Sequence, residues 1–406
     1  MQDLQQIWKL ETDLLPVMLA MRQKGIRIDE EKLKECEHYF LNAENNALLY
    51  IHETTDFDLT DQLWIAESLA EVLRKLKIEF PLTEKTKKPS IKSDWLKNID
   101  HPVTQTMARA RRFNKARTTF CESIKRHMTY GKIHPNFNQL RGEGGGTVTG
   151  RLSCNNPNIQ QQPIRDKEIG RMFRSIYLPD EDYQYGRFDY KEQEPKIALH
   201  YAVLSKLPGT QNLLEKHAKN PDIDSYGLIS HEIERDICKT VYLAMLYGAG
   251  GVKICEQLKL PTAYREDRRG SLYECAGPEA QGIIDNFERG APYIIELIKK
   301  VTRSARSKGY VKTILGRRCR FPDLDWVYKA TNRLIQGSAA DQMKKALIDL
   351  HAAGYTPHLQ VHDEVGISIN NDKQAVEIKN IMEQSVELKI PALVDYTLGA
   401  NWGECK

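Results

Sequence analysis

Apolar positions in the first part of the chain recur at helical spacing. Leu10, Leu14, Val17, Met18 and Met21 share one helix face, with Pro16 placed to kink that helix or mark a restart. Gly25-Ile26-Arg27-Ile28-Asp29 predicts a short strand and a helix cap. Leu33, Cys36, Tyr39, Phe40, Leu48 and Ile51 predict mostly helix from Glu30 to Leu76. Residues 80–90 form a lysine-rich, Pro-broken loop, and a basic helix is expected to about Met128. The glycine-rich run 142–146 marks a boundary and a flexible link; it is no phosphate loop, because no Gly-Lys-Ser/Thr follows. Beyond it, strands are expected around the turn Asn156-Pro157-Asn158, then an extended Ile176–Pro179. Tyr185–Asp189 reads as a strand ending at an acid. Residues 224–300 read as mostly helical. Leu359–His362 and Val365–Ile369 read as a hairpin with Asp363 and Glu364 at its turn.

Composition narrows this picture. The chain has 406 residues, enough for two to four domains, and 41% apolar with 28% charged residues is ordinary globular usage. No apolar run approaches the ~18 residues of a membrane span, and the first residues lack a signal peptide's pattern. The eight cysteines are scattered without a CxxC pair, which suits reduced thiols in a cytoplasmic compartment rather than a zinc site. Net charge is +4, but residues 81–127 hold twelve Lys/Arg against four Asp/Glu. Residues 299–320 hold nine cations and no acid. Segregated positive charge is the footprint of phosphate binding, although a solvated helix face is the simpler source of any one run.

Asp189 and the Asp363-Glu364 pair stand at strand ends far apart in sequence. Carboxylates so placed can share Mg²⁺ ions, or be ordinary turn residues. Arg235, Lys239, Leu243 and Tyr247 are spaced four apart and followed by Gly248. Each step of four drifts only about 40° around a helix, so they form one slanted stripe. Two cations, an apolar group and a tyrosine suit phosphates, sugar and base of a nucleoside triphosphate. A helix with two surface cations and a buried Leu and Tyr would give the same pattern.

The combination resembles DNA polymerase family A. Thr149–Ser153, Pro157–Gln160 and Pro163-Ile164-Arg165 look like its primer-template contact region. Asp189-Tyr190 through Gln193-Glu194-Pro195 looks like motif A in its phage form, and Arg235–Gly248 like motif B. Gly309–Thr313, Gly316-Arg317-Arg318 and Arg320-Phe321-Pro322 are similar to the return from fingers to palm. Asn332–Asp341 and Gln360–Glu364 resemble the template-side helix and motif C. The resemblance implies an α+β, right-hand fold whose palm carries an antiparallel sheet. It divides the chain into an N-terminal segment (1–29) packing on the palm, a thumb (30–130), palm (131–204), fingers (205–325, with the motif B helix at about 233–248) and palm again (326–406).

The resemblance also implies roles. Asp189, Asp363 and the Tyr190 carbonyl would hold two Mg²⁺ ions, with Mn²⁺ able to substitute, and Glu364 would support them. Arg235 and Lys239 would bind the triphosphate, Lys239 also assisting catalysis. Leu243 would contact the sugar, with Gln193 and Glu194 beside the nucleotide and Glu194 as the gate against a 2′-hydroxyl. Tyr247 would occupy the template-base site. Arg151, Gln160, Arg165, Asn332, Gln336 and His362 would contact DNA, as would Arg112 and Lys115 in the thumb. The implied activity is primer extension on a DNA template from dNTPs, by a monomer in a bacterial or phage-infected cytoplasm. Alternatives are a single-subunit RNA polymerase-like enzyme, against which Glu194 argues, or an inactive primer-template binding protein.

Several positions depart from the family pattern. Leu243 replaces the usual Phe or Tyr. Lys191, Glu192 and Lys196 replace Ser, Gln and Arg. Asp224 stands where His is frequent, and Tyr328 where Arg is. No 3′–5′ exonuclease motif precedes Leu10, so intrinsic proofreading is expected to be missing, to reside on another chain, or to have been removed. A separate exonuclease or processivity factor is then a conceivable partner.

Overall fold

In the computed structural model, residues 4–142, 145–163, 166, 168–230 and 232–405 are described. They form two compact units. The larger comprises Met1–Lys24, Asn136–Asn155 and Gly186–Thr397; the smaller comprises Gly25–Pro135, Asn156–Tyr185 and Leu398–Lys406.

The larger unit is built on a four-stranded sheet ordered Leu359–Val361, Glu364–Ile369, Gln184–Tyr190, Val394–Gly399. The first two strands are antiparallel, with Val361 opposite Glu364. The turn between them is therefore only His362-Asp363, and Glu364 lies in the strand, where it is buried, rather than at the turn. Against the sheet's unit runs the helix Ala330–Ala352, buried on most sides. Its Gly337-Ser338-Ala339-Ala340 stretch permits close approach: a Cβ on Gly337 would lie 2.7 Å from the Thr313 side chain. The helix Gln5–Lys24 passes through Pro16 unbroken and buries Leu10, Leu14, Val17, Met18 and Met21. Pro16 and Thr12 both face water, so the carbonyl that the ring leaves unbonded can be hydrated.

Helices Arg235–Leu246, Gly251–Leu258, Pro278–Gly290 and Pro292–Lys308 follow the expectation for 224–300, with one exception. Thr262–Glu266 and Leu272–Ala276 pair as an antiparallel hairpin. Its turn is organised by Asp267, whose carboxylate accepts the backbone N–H groups of Arg269 and Ser271.

The smaller unit packs the helix Glu30–Thr55, capped by Asp29, against Pro102–Lys115, with Phe40 and Phe113 stacked at 6.3 Å. A second sheet orders Met128–Thr129, Lys132–Ile133, Ile26–Ile28 and Tyr177–Leu178. All eight cysteines are free thiols, and no helix among the described residues is long and apolar enough to cross a membrane.

Candidate active site

A cleft of about 380 Å³ opens in the larger unit, a size that suits a small-molecule ligand. Two structural elements bring its chemistry together. Asp189 is near the end of the strand Gln184–Tyr190, and Asp363 sits in the two-residue turn. The Tyr190 N–H donates to the Asp363 carbonyl at 3.1 Å, which sets the two segments side by side. Asp189, Tyr190, Asp363 and Asp395 all line the cleft. Arg187, two residues before Asp189 and so on the same strand face, donates to Asp189 Oδ2 and to Glu364 Oε2, each at 2.6 Å. Burial and then the Asp363 charge push the Asp189 carboxyl up to about 7, against the pull of Arg187; Glu364 and Asp395 add to the rise. Negative charge outweighs positive there.

The opposite wall is the helix Arg235–Leu246. Cys238, Val241, Tyr242 and Leu246 form its buried face, and Arg235, Lys239, Leu243 and the capping Tyr247 line the cleft. Twelve residues separate Arg235 from Tyr247, about 18 Å along a helix axis. Lys239 is exposed and makes no ion pair among the described residues. Arg235 is engaged: Nε donates to Asp224 Oδ2 at 3.1 Å and Nη2 to Glu192 Oε1 at 3.5 Å, and the guanidinium lies 5.4 Å from the Tyr226 ring centroid. Burial, then hydrogen bonding to Asp224, pushes the Glu192 carboxyl up.

At the Tyr247 end, Glu194 accepts from both sides: the Tyr247 hydroxyl at 2.8 Å on Oε2 and Arg151 at 2.5 Å on Oε1. Burial and then the Glu194 charge push the Tyr247 phenol up, so it remains a donor; Gln336 also hydrogen-bonds it. Gly248 follows at φ +78, and a Cβ there would lie 2.7 Å from the Tyr328 carbonyl oxygen.

The residues named from sequence fall into three groups. Asp189, Tyr190, Gln193, Glu194, Arg235, Lys239, Leu243, Tyr247 and Asp363 line one cleft. The Gln193 amide, however, is spent inside the fold, donating to the Ala339 carbonyl and to Gln342. Glu364, Arg151 and Gln336 reach the cleft through Arg187, Glu194 and Tyr247. Asn332 is one turn before Gln336 on the same helix, and His362 is exposed beside Asp363 with a left-handed backbone, φ 56. Gln160, Arg112 and Lys115 belong to the smaller unit. There Arg112 is held by Glu168 and by Asp166, and Lys115 is exposed. Ile164 and Arg165 lie outside the described residues.

Sequence reasoning missed Arg187 and Asp395 as members of the site. The period of two in a strand would have found Arg187 beside Asp189. Asp395 follows Val394 in a strand that carried no motif. Glu192 and Asp224 were noticed as departures but not as partners of Arg235.

The fold is that of a polymerase domain. The polymerase domain of Pol1 from M. smegmatis, solved in complex with DNA primer-template and dNTP, matches with a TM-score of 0.78 at 24% identity, covering 97% of this chain and 70% of that one. The chain belongs to DNA polymerase family A, whose sequence profile matches residues 30–404. It is 38% identical to a DNA-directed DNA polymerase of Pseudomonas phage M6, over 99% of this chain and 66% of that protein. It is 30% identical to the DNA polymerase DpoZ of Salmonella phage PMBT28, over 99% of this chain and 70% of that protein. DNA polymerase I of Geobacillus stearothermophilus is 28% identical, with 46% of its length matched. The chain thus spans about two thirds of these phage relatives and under half of the bacterial one.

Proposed function

We propose that this chain is a DNA-templated DNA polymerase of phage type. It joins a dNMP from a dNTP to a primer 3′-hydroxyl and releases pyrophosphate. The observation that carries the reading is the single cleft in which Asp189 and Asp363 face the stripe Arg235, Lys239, Leu243, Tyr247. In support stand the family membership and the relatives named as DNA polymerases.

The donor set fits Mg²⁺. Among the described residues no three His, Cys, Asp or Glu side chains group around one ion. Mg²⁺ needs only one or two carboxylates beside substrate phosphates and water. Asp189, Asp363 and the Tyr190 carbonyl would hold it, as a pair of ions or with Mn²⁺ in its place. Bound there, the metal would acidify the primer hydroxyl and offset phosphate charge. Burial and the neighbouring charges of Asp363, Glu364 and Asp395 outweigh the pull of Arg187 on Asp189, an environment that suits a bound cation.

The protein's own groups divide the remaining work. Lys239 and Arg235 meet the triphosphate and stabilise charge growing on the leaving pyrophosphate. Arg235 first exchanges Glu192 and Asp224 for phosphate oxygens. Leu243 packs against the sugar. Glu194, fixed by Arg151 and Tyr247, fills the space a 2′-hydroxyl would need. Tyr247 occupies the template-base position until the strand advances. Gln336, Asn332, Arg151 and His362 line the minor-groove side of the primer end, where acceptors recur for every base pair. The thumb is 30–130, with Lys115 and Arg112 on the duplex backbone. Palm is 131–204 and 326–406, fingers 205–325, and the N-terminal segment 1–29 packs on the palm. The phage and bacterial relatives favour a cytoplasmic setting.

Primer extension tests the reading. The chain is expected to extend a recessed primer with dNTPs and Mg²⁺ and to discriminate against rNTPs. Asp363→Ala should still bind primer-template and fail to extend it. Extension by Asp363→Ala, or a preference for rNTPs, would refute the assignment.

A further inference from the structure

Three positions at which the sequence departs from the family pattern, Lys191, Glu192 and Asp224, meet in one network at the Arg235 end of the cleft. The Lys191 ammonium donates to Asp222. Arg235 donates to Asp224 at 3.1 Å and to Glu192 at 3.5 Å. Lys191, Glu192 and Arg235 line the cleft, whereas Asp222 and Asp224 stand outside its lining.

Both aspartates come from one short stretch after the helix Thr210–Lys219, and its turns fix them in place. Asn220 accepts the Asp222 N–H on its side chain at 3.1 Å and the Ile223 N–H on its carbonyl at 3.2 Å. Asp224 accepts the Gly227 N–H at 3.0 Å. The Ser225 N–H donates to buried Glu192 at 3.1 Å, which ties the stretch to the start of the helix Gln193–Leu204.

Two cations that face the cleft are therefore each held by an acid on a fixed turn. Lys239 beside them makes no ion pair among the described residues. These pairs differ from buried ones. The Arg235 side chain is 52% exposed and that of Asp222 67%, and pairs so wetted shift an equilibrium by only a small factor. A polyphosphate presents several charged oxygens to the same guanidinium and ammonium, and charge-assisted bonds of that kind are stronger. Acids placed in this way yield to a triphosphate and return when it leaves.

We propose that Asp222 and Asp224, with Glu192 fixing their stretch, are an internal stand-in for phosphate. They hold Lys191 and Arg235 until a polyphosphate displaces them, weaken its binding, and retake the cations as pyrophosphate departs. The identity of that polyphosphate as a dNTP rests on the polymerase reading above. The three acids are positioning residues, acting on substrate through the cations they hold.

Tripolyphosphate, which has the charged chain of a dNTP without sugar or base, is the probe. Its binding to the whole chain is measured by titration calorimetry with no metal added, so that only the protein's cations are read. Asp224→Asn removes the charge and keeps an acceptor for the Gly227 N–H, and Asp222→Asn removes the charge at the second cation. Each is expected to tighten tripolyphosphate binding about 3-fold, and both together about 10-fold. In an Arg235→Ala chain Asp224→Asn should have no effect, and in a Lys191→Ala chain neither should Asp222→Asn. That separates release of a held cation from a general loss of negative charge. Unchanged or weaker binding in the acid variants overturns the proposal, as does tightening that persists after the cation is removed. Asp222, two thirds exposed, keeps the test decisive if Asp224→Asn fails to fold. Primer extension is measured alongside: Asp224→Asn should lower the KM for dNTP by more than it changes kcat, and should strengthen inhibition by pyrophosphate. No extension by the parent defeats the polymerase reading and leaves the calorimetry to judge the acids. Extension with unchanged tripolyphosphate binding in the variants defeats the stand-in alone.

Discussion

Glu11, Arg317, Asp341 and Lys344 meet inside the larger unit as two acids and two bases. Arg317 donates to Glu11 at 2.5 Å and to Asp341 at 2.8 Å; Lys344 donates to the same Glu11 oxygen at 2.7 Å and to the Gln139 carbonyl at 2.8 Å. Beside the cleft of the same unit, Arg187 donates to Asp189 and Glu364, while Asp363 and Asp395 add further negative charge against Asp189. Both clusters contain buried carboxylates, and only one is neutral. A neutral cluster can be closed off because each charge has its partner, and it ties Gln5–Lys24 to Ala330–Ala352. A cluster with surplus negative charge is costly until a cation arrives, which is what a metal-dependent site requires. Charge balance, rather than the presence of buried acids, separates the structural group from the chemical one.

The contrast breaks most directly at Asp189. Asp189→Asn is expected to lower primer extension on the order of 10³-fold or more, because it removes a carboxylate proposed to hold the metal. The same change removes one of several crowded acids, so without Mg²⁺ the variant should melt no lower than the parent. Added Mg²⁺ should raise the melting temperature of the parent and not of the variant. A variant that melts lower than the parent in chelator would show that Asp189 is structural. Arg317→Met is the mirror test. It leaves Asp341 and Glu11 short of a partner, and should cost about 3–5 kcal/mol in chemical denaturation. The rate per folded molecule should change far less than in Asp189→Asn. A loss below about 1 kcal/mol would remove Arg317 from the load of the fold.

How much of this the sequence disclosed follows from the range of each interaction. The strand ending at Asp189, the hairpin at Asp363 and the four-residue stripe from Arg235 were legible because each is local: period two, a tight turn, period near 3.6. The family's fold was legible from the order of those local motifs. The pairing of Glu11 with Arg317 spans 306 positions, and nothing local in Leu10-Glu11-Thr12 announces a buried acid. Glu192 and Asp224 read only as departures from a pattern, because their partner Arg235 is defined by a helix packing that sequence spacing does not contain. The hairpin 262–276 carried a usable signal, with Tyr264 and Tyr273 flanking a turn that contains Gly270, and it was submerged by the helices on either side.

Lys196 sharpens the comparison with a third kind of charge, a base with no match. It lies on the helix Gln193–Leu204, is 2% exposed, and its ammonium has no hydrogen-bond partner among the described residues. His217, equally buried, is pushed down first by burial and then by the Lys196 charge. Burial lowers Lys196 to about 8, against 10.5 for a free lysine. Between those values the unfolded chain still holds a proton that the folded chain has shed, so stability rises with pH across that window. Below pH 8 both states are protonated and the burial cost is felt in full. Lys196→Met keeps the aliphatic bulk and removes the charge. It should raise stability at pH 7 by about 2 kcal/mol, and the gain should shrink as pH climbs from 8 to 10.5. Denaturation curves at pH 7 and pH 10 decide it. A destabilised Met variant, or a gain that does not change with pH, would mean that the lysine charge is matched after all, with Glu192 the acid that acts on it most strongly.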